Sequence, residues 1–301
     1  MRNVEFMSGG DQIAADLYLP DDLSKPVPAV VLAGGWCYVK ELVQPTFAEQ
    51  ISASGIVAVV FDYRCLGQSG GEPRQRINPW DQIEDYKNAI SFVSGLDEVD
   101  AERIGVWGIS YSGGHVIQLA ATDPRVKAMA SVVPVINGYQ NLRLAHGTGG
   151  FRRLVAAISD DRSQRWAGAP DGVLSHNPQG PEGLSTWPFP TSADMFWELK
   201  DSEAPNYVGH ATTVSTEWLL EYDVMPYAHR IVAPASMLVV AENDDHTHWD
   251  MALSAFAAIP AADKRLEIIK KSSHQGIYRD LDQRMVAARL CADWFALHLI
   301  T

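Results

Sequence analysis

The sequence predicts an α/β protein built on a mostly parallel central sheet flanked by helices on both faces, with an inserted cap. Three observations carry this. Short β-branched runs alternate with stretches whose apolar residues recur at helical spacing. The central runs are almost continuously apolar, as in strands buried on both faces. The alternation stops at about residue 137 and resumes after residue 222, so an insertion interrupts one sheet rather than separating two domains.

Taken in order, strands are expected over 13–19, 29–33, 57–62 and 103–107, and the next over 126–133. Helices are expected over 45–54 and 80–94, the second with Ile83, Tyr86, Ile90 and Val93 on one face. Between 137 and 222, Gly, Pro, Ser and aromatic residues mix without a sustained period. Regularity returns with a strand over 236–241, a helix over 249–258, a strand over 266–269 and a C-terminal helix over 281–299. Residues 1–136 and 223–301 are therefore assigned to one core and 137–222 to the cap or lid. No internal repeat is evident.

Of the 301 residues, 47% are hydrophobic and 20% charged, the balance of a folded globular chain. The formal charge of −13, from 24 basic and 37 acidic residues, repels nucleic-acid backbones and anionic lipid surfaces. The first residues contain no apolar signal segment, and the longest apolar runs, such as 56–61, have strand length, so the expectation is a cytoplasmic protein with neither nucleic acid nor membrane as partner. Cys37, Cys65 and Cys291 are odd in number and far apart, which fits reduced thiols better than a disulfide framework or a zinc site. Homo-oligomerisation is left open.

The segment Ile104-Gly105-Val106-Trp107 leads into Gly108-Ile109-Ser110-Tyr111-Ser112-Gly113-Gly114 and then into a helix-like stretch. A nucleophile at such a strand–turn–helix junction takes a strained backbone, so residues two before and two after it must be small; Gly108 and Ser112 satisfy this. Taken alone, the junction is equally what a tight turn looks like. A serine hydroxyl is a poor nucleophile at neutral pH and needs an imidazole to take its proton and a carboxylate to orient the imidazole. Asp244 follows the strand 237–241 and His274 follows the strand 266–269, in the chain order serine, acid, histidine. Asp244 is chosen over its neighbour Asp245, and His274 is placed in a polar loop as the general base. His246-x-His248 lacks further spaced ligands, so no metal is assigned, and no cofactor.

A tetrahedral intermediate needs two N–H donors aimed at its oxyanion. Tyr111, after the serine, supplies one, and Trp36, after the run Val30–Ala33 and the pair Gly34-Gly35, the other. At this point the residues resemble the α/β-hydrolase superfamily over both core segments. Gly34 to Glu41 is similar to its His-Gly oxyanion loop with Gly34 in place of histidine. Phe61 to Ser69 is similar to its Phe-Asp-Tyr-Arg-Gly loop with Cys65 in place of glycine, and Val240 to Asp244 to its acid turn. The Gly-x-Ser-Tyr-Ser-Gly-Gly form resembles the dienelactone-hydrolase-like, X-Pro-peptidase-like and polyketide-transferase-like branches. The resemblance implies acyl transfer from an ester, thioester, lactone or amide.

The expected enzyme is a serine hydrolase of a small-molecule acyl substrate: Ser110 attacks, His274 moves the proton, Asp244 orients His274, and the amides of Trp36 and Tyr111 hold the oxyanion. Two alternatives stand: an acyltransferase using the same acyl-enzyme, and a non-catalytic module of the same fold. Trp166, Trp187, Phe189, Phe196, Trp197, Tyr207 and Trp218 in the insertion are expected either to wall an acyl pocket or to form the insertion's own core.

Overall fold

A computed structural model of the chain describes residues 1–180, 183–242 and 244–300. Among the described residues, ten strands run β1 (Arg2–Ser8), β2 (Asp11–Tyr18), β3 (Val27–Ala33), β4 (Val57–Phe61), β5 (Val99–Ile109), β6 (Val126–Val132), β7 (Val173–Ser175), β8 (His210–Thr212), β9 (Ala235–Ala241) and β10 (Lys264–Ile269). Eight of them form one sheet in the order β1-β2-β4-β3-β5-β6-β9-β10, while β7 and β8 pair separately. β1 and β2 are antiparallel to each other, β2 is antiparallel to β4, and the pairings from β4 through β10 are parallel. Every residue of β3, β4 and β9 is buried, which is why these segments read as unbroken apolar runs.

The helices are α1 (Gln44–Ala53), α2 (Pro79–Ser94), α3 (Tyr111–Thr122), α4 (Gly138–Trp166), α5 (Pro190–Ser202), α6 (Thr213–Glu221), α7 (Met225–Ala228), α8 (Trp249–Ala258), α9 (His274–Arg279) and α10 (Leu281–Leu299). Their starts follow local chemistry. Asn78 accepts the Trp80 amide ahead of Pro79 at the head of α2, and Asp280 accepts the amides of Asp282 and Gln283 at the head of α10. The predicted face of α2 is buried in full. Packing of α10 on the sheet requires glycine at 105, where a Cβ would lie 2.9 Å from the Phe295 ring.

The structure departs from the sequence expectations in three places. β1 was not expected: as an edge strand it exposes Arg2, Asn3, Glu5 and Met7, and the turn at Gly9-Gly10, both at positive φ, was its available signal. Within 137–222, α4 runs for 29 residues with a kink at Gly147. Gly147, Gly149 and Gly150 interrupt the spacing between Leu142 and Phe151, so no continuous helical stripe was visible. His274 is not in a polar loop but is the first residue of α9, whose start is capped by Ser273 accepting the Gly276 amide.

The parallel strands β3, β5, β9 and β10 all end at the same edge of the sheet. The residues immediately beyond those ends are the ones the sequence singled out.

Candidate active site

Ser110 stands between the last residue of β5 and the first of α3 with φ 57° and ψ −114°. A non-glycine residue in this region costs about 1–3 kcal/mol, so the surroundings must impose it. They do so from both sides: the Ser110 amide donates to Val132 O at 2.9 Å, and the Val135 amide donates to Ser110 O at 2.9 Å. A Cβ at Gly108 would run into the backbone of Ser112. Ser112 does more than stay small. Its hydroxyl accepts the Ile109 amide at 2.8 Å and donates to Ala33 O at 2.7 Å, stitching the end of β3 to the turn.

That stitch brings the Gly34–Tyr38 loop against Ser110. A Cβ on Gly35 would lie 3.0 Å from the Ser110 Cβ, and the buried rings of Trp36 and Tyr111 meet edge to face at 5.2 Å. Among the described residues, the amides of Trp36 and Tyr111 enter no backbone hydrogen bond outside the regular elements, and Tyr111, opening α3, has no partner within the helix. The loop is gripped from below by Asp62, which accepts the amides of Lys40 at 2.7 Å and Gln68 at 2.8 Å. Burial pushes the Asp62 carboxyl up to about 7 despite those two donors. Cys65 has φ 67°, a backbone suited to the glycine that it replaces.

Asp244 and His274 meet beside the serine. Asp244 Oδ2 is 2.8 Å from His274 Nδ1 and also accepts from the Thr247 hydroxyl at 3.0 Å. Oδ1 takes the amides of His246 at 2.8 Å and Thr247 at 3.1 Å. Burial opposes ionisation here, but the His274 charge and hydrogen bond and the Thr247 amide outweigh it and hold the Asp244 carboxyl down at about 2. Asp245 does not reach His274; its side chain is 75% exposed and pairs instead with His246 Nδ1 at 2.8 Å. Asn243, in the turn before the acid, lies outside the described residues. Ser110, Asp244 and His274 are all buried. No hydrogen bond joins Ser110 and His274, a geometry that does not by itself rule out a base. The buried phenol of Tyr278, itself without a well-formed hydrogen bond, approaches the hydroxyls of Ser110 and Tyr38.

Ser110 and His274 open on a narrow cavity that Trp36, Tyr38 and His176 also line. Of the seven aromatic residues singled out between 137 and 222, Trp187 and Phe196 line it, Phe189 stacks on His246 at 3.7 Å, and the Tyr207 hydroxyl lies behind the wall, 2.7 Å from His176 Nδ1. Trp197 is partly exposed and Trp218 lies 5.1 Å under Arg76, while Trp166 is 91% exposed and belongs neither to a pocket nor to a core. Several lining residues were not assigned to the site from the sequence, His176, Ser192 and His246 among them. For His246 the signal was its place two residues after the acid; Ser192 and His176 lie in a segment with no pattern to read. Asp244, Asp245 and His246 bring ligand atoms within 4.8 Å of one another, but Asp244 and both His246 nitrogens already hold hydrogen-bond partners.

Comparison with known proteins bears on the fold and the family. The profile of the X-Pro dipeptidyl-peptidase (S15) family matches residues 9–276. The thiohydrolase aneE of Aspergillus aculeatus is 30% identical over 286 residues, covering 91% of this chain and 86% of that protein. The quorum-quenching protein AidA of Acinetobacter baumannii is 32% identical over 206 residues, 68% of this chain and 67% of its own. Among solved structures, DcsB in complex with its substrate analogue superposes with a TM-score of 0.85 at 23% identity, over 100% of this chain and 99% of that one. PA2218 of Pseudomonas aeruginosa does so at 0.82 and 27%, over 99% and 93%. A family profile spanning both core segments, together with full-length superposition on these folds, makes this chain a member of the S15 family within the α/β-hydrolase superfamily of serine hydrolases.

Proposed function

We propose that the protein hydrolyses a carboxylic ester, thioester or lactone through an acyl-enzyme on Ser110. The observation that carries this reading is the 2.8 Å Asp244–His274 pair beside a serine held at positive φ, both opening on one cavity. In the proposed cycle, Ser110 Oγ attacks the acyl carbonyl and its proton passes to His274 Nε2. The Asp244 carboxylate fixes the tautomer and stabilises the imidazolium. The amides of Trp36 and Tyr111 receive the oxyanion, and the residues 137–222 act as a cap that supplies Trp187 and Phe196 to an apolar acyl pocket. His274 returns the proton to the leaving group, and water, deprotonated by the same imidazole, releases the acid.

The cavity favours an ester, thioester or lactone over a dipeptide. A dipeptidyl peptidase must bind a free α-amine, which calls for a negative partner, and no lining residue among those described is acidic. The thiohydrolase name of one relative points the same way.

The test is covalent labelling with a fluorophosphonate, followed by a screen of p-nitrophenyl esters, acyl thioesters, lactones and an X-Pro anilide. Labelling at Ser110 with turnover of the oxygen or sulfur esters is expected. Failure to label, with the same behaviour in Ser110→Ala, would leave a non-catalytic module. Product capture by an added alcohol or amine in preference to water would make it an acyltransferase.

A further inference from the structure

A second serine, histidine and aspartate stand in series beside the first. His246 Nδ1 is 2.8 Å from Asp245 Oδ1, and its Nε2 is 2.8 Å from Ser192 Oγ in the first turn of α5. With the carboxylate accepting from Nδ1–H, Nε2 of the neutral ring accepts the Ser192 proton. Gln275 of α9 donates to the same serine oxygen at 3.0 Å and to Thr191 at 2.7 Å.

The series is not a second nucleophilic centre. Ser192 is the third residue of a regular helix and lacks the strained turn that presents Ser110, and Asp245 is mostly in water rather than buried against its histidine. Its distinguishing feature is where the ring lies. The His246 imidazole stacks with two rings, Phe189, 3.7 Å away and tilted by 21°, and His274, 5.1 Å away and parallel to within 3°. Its own amide donates to Asp244 Oδ1, so one residue touches the acid, the base and helix α5 together.

We propose that His246 is a positioning residue: its ring backs the imidazole of His274, and its hydrogen bond to Ser192 seats helix α5 on the cavity, so that base and pocket wall are assembled together. The proposal rests on the acyl-enzyme reading of Ser110. The physical need is plain. A single hydrogen bond at Nδ1 leaves an imidazole free to swing about that bond unless other groups pack against the ring, and the rings of His246 and Tyr278 do so at 5.1 and 5.2 Å. The backing ring must also be uncharged, because His274 becomes a cation when it takes the serine proton. Burial and the His274 charge hold His246 down at about 4, so it is neutral at physiological pH. Helix α5 supplies Ser192, Met195 and Phe196 to the cavity, so loosening its seat acts on substrate binding, whereas loosening the ring acts on proton transfer.

The experiment measures kcat and KM on a p-nitrophenyl ester, and the rate of fluorophosphonate labelling at Ser110, for His246→Ala, His246→Phe and Ser192→Ala of the full chain. His246→Ala is expected to lower kcat about 10–100-fold and to slow labelling in proportion, the scale on which small misplacements act. His246→Phe keeps a flat ring against His274 without the polar nitrogens; it should recover most of kcat while KM stays raised. Ser192→Ala should act mainly on KM. The proposal is overturned if His246→Ala keeps kcat within about twofold, if His246→Phe is as slow as His246→Ala, or if a covalent adduct forms on Ser192, which would make it a nucleophile. Ser110→Ala separates the two readings: full turnover in that variant sinks the acyl-enzyme itself, whereas loss of turnover with an unaffected His246→Ala sinks only the positioning role.

Discussion

Two carboxylate–imidazole pairs lie side by side at the edge of the sheet, and their bond lengths are the same. Asp244 meets His274 at 2.8 Å and Asp245 meets His246 at 2.8 Å. What separates them is the surroundings. Asp244 is buried and takes two backbone amides and a hydroxyl besides its histidine, so its charge is held in place and kept. Asp245 is largely in water, where an ion pair contributes little. The serines differ in the same way: Ser110 is forced to positive φ at a turn stitched to two strands, while Ser192 sits in an ordinary helix. Hydrogen-bond geometry alone does not mark a reactive set. Burial, fixed donors and backbone strain are what separate the two sets.

Each half of the comparison can be broken separately. The largest effect is expected from Ser110→Ala, which removes the attacking oxygen and should cut kcat/KM roughly 10⁴-fold or more, measured on whichever ester the screen identifies. Asp244→Asn comes next. It keeps the shape but reverses the donor at His274 Nδ1, and a fall on the order of 10³–10⁴-fold in kcat is expected with near-native thermal stability; a loss under tenfold would mean that the acid has been misassigned.

A third contrast concerns histidines kept neutral by burial. His115, in α3 between Tyr222 and Gln82, is pushed down to about 3 by burial, and so is His176. Their folded values lie below the unfolded value of about 6.5, so the unfolded chain takes up protons first as pH falls. Stability present above about pH 6.5 is therefore lost progressively towards pH 3, by roughly 2 kcal/mol per histidine at pH 5. Asp62, raised to about 7, works the opposite way, since the folded chain binds its proton first between about 7 and 4. Urea unfolding of His115→Gln at pH 7 and pH 5 should show a pH-dependent loss smaller by about 2 kcal/mol than in the parent; an unchanged difference would contradict burial as its source. The smallest effect is expected from Asp245→Asn, with kcat within about threefold of the parent because the carboxylate is solvated. A collapse of activity in that variant alone, with Asp244→Asn active, would exchange the roles of the two acids.

Much of the core was legible because parallel strands buried on both faces leave continuous apolar runs, and because the tight turn at Ser110 calls for small residues at 108 and 112. The order Ser110, Asp244, His274 was legible for a related reason: each follows a strand, and parallel strands deliver their ends to one edge. The hairpin strand β1 was hidden by its exposed face, α4 by its glycines, and the α9 turn at His274 by its brevity. Sequence had no purchase on Ser192 or His176, which come from a stretch without periodicity.

By itself, then, the sequence determined the layered architecture and placed Ser110, Asp244 and His274 beyond the ends of strands in one sheet, since these depend on local spacing and burial pattern. The sequence favoured Asp244 over Asp245 by position after the strand, and the tertiary structure supplies the physical ground: the loop after β9 turns Asp244 onto His274 and Asp245 towards water. Only the tertiary structure decided the place of His246, whose stacking on a ring 28 positions away in the chain depends on β9 and β10 being neighbours in the sheet.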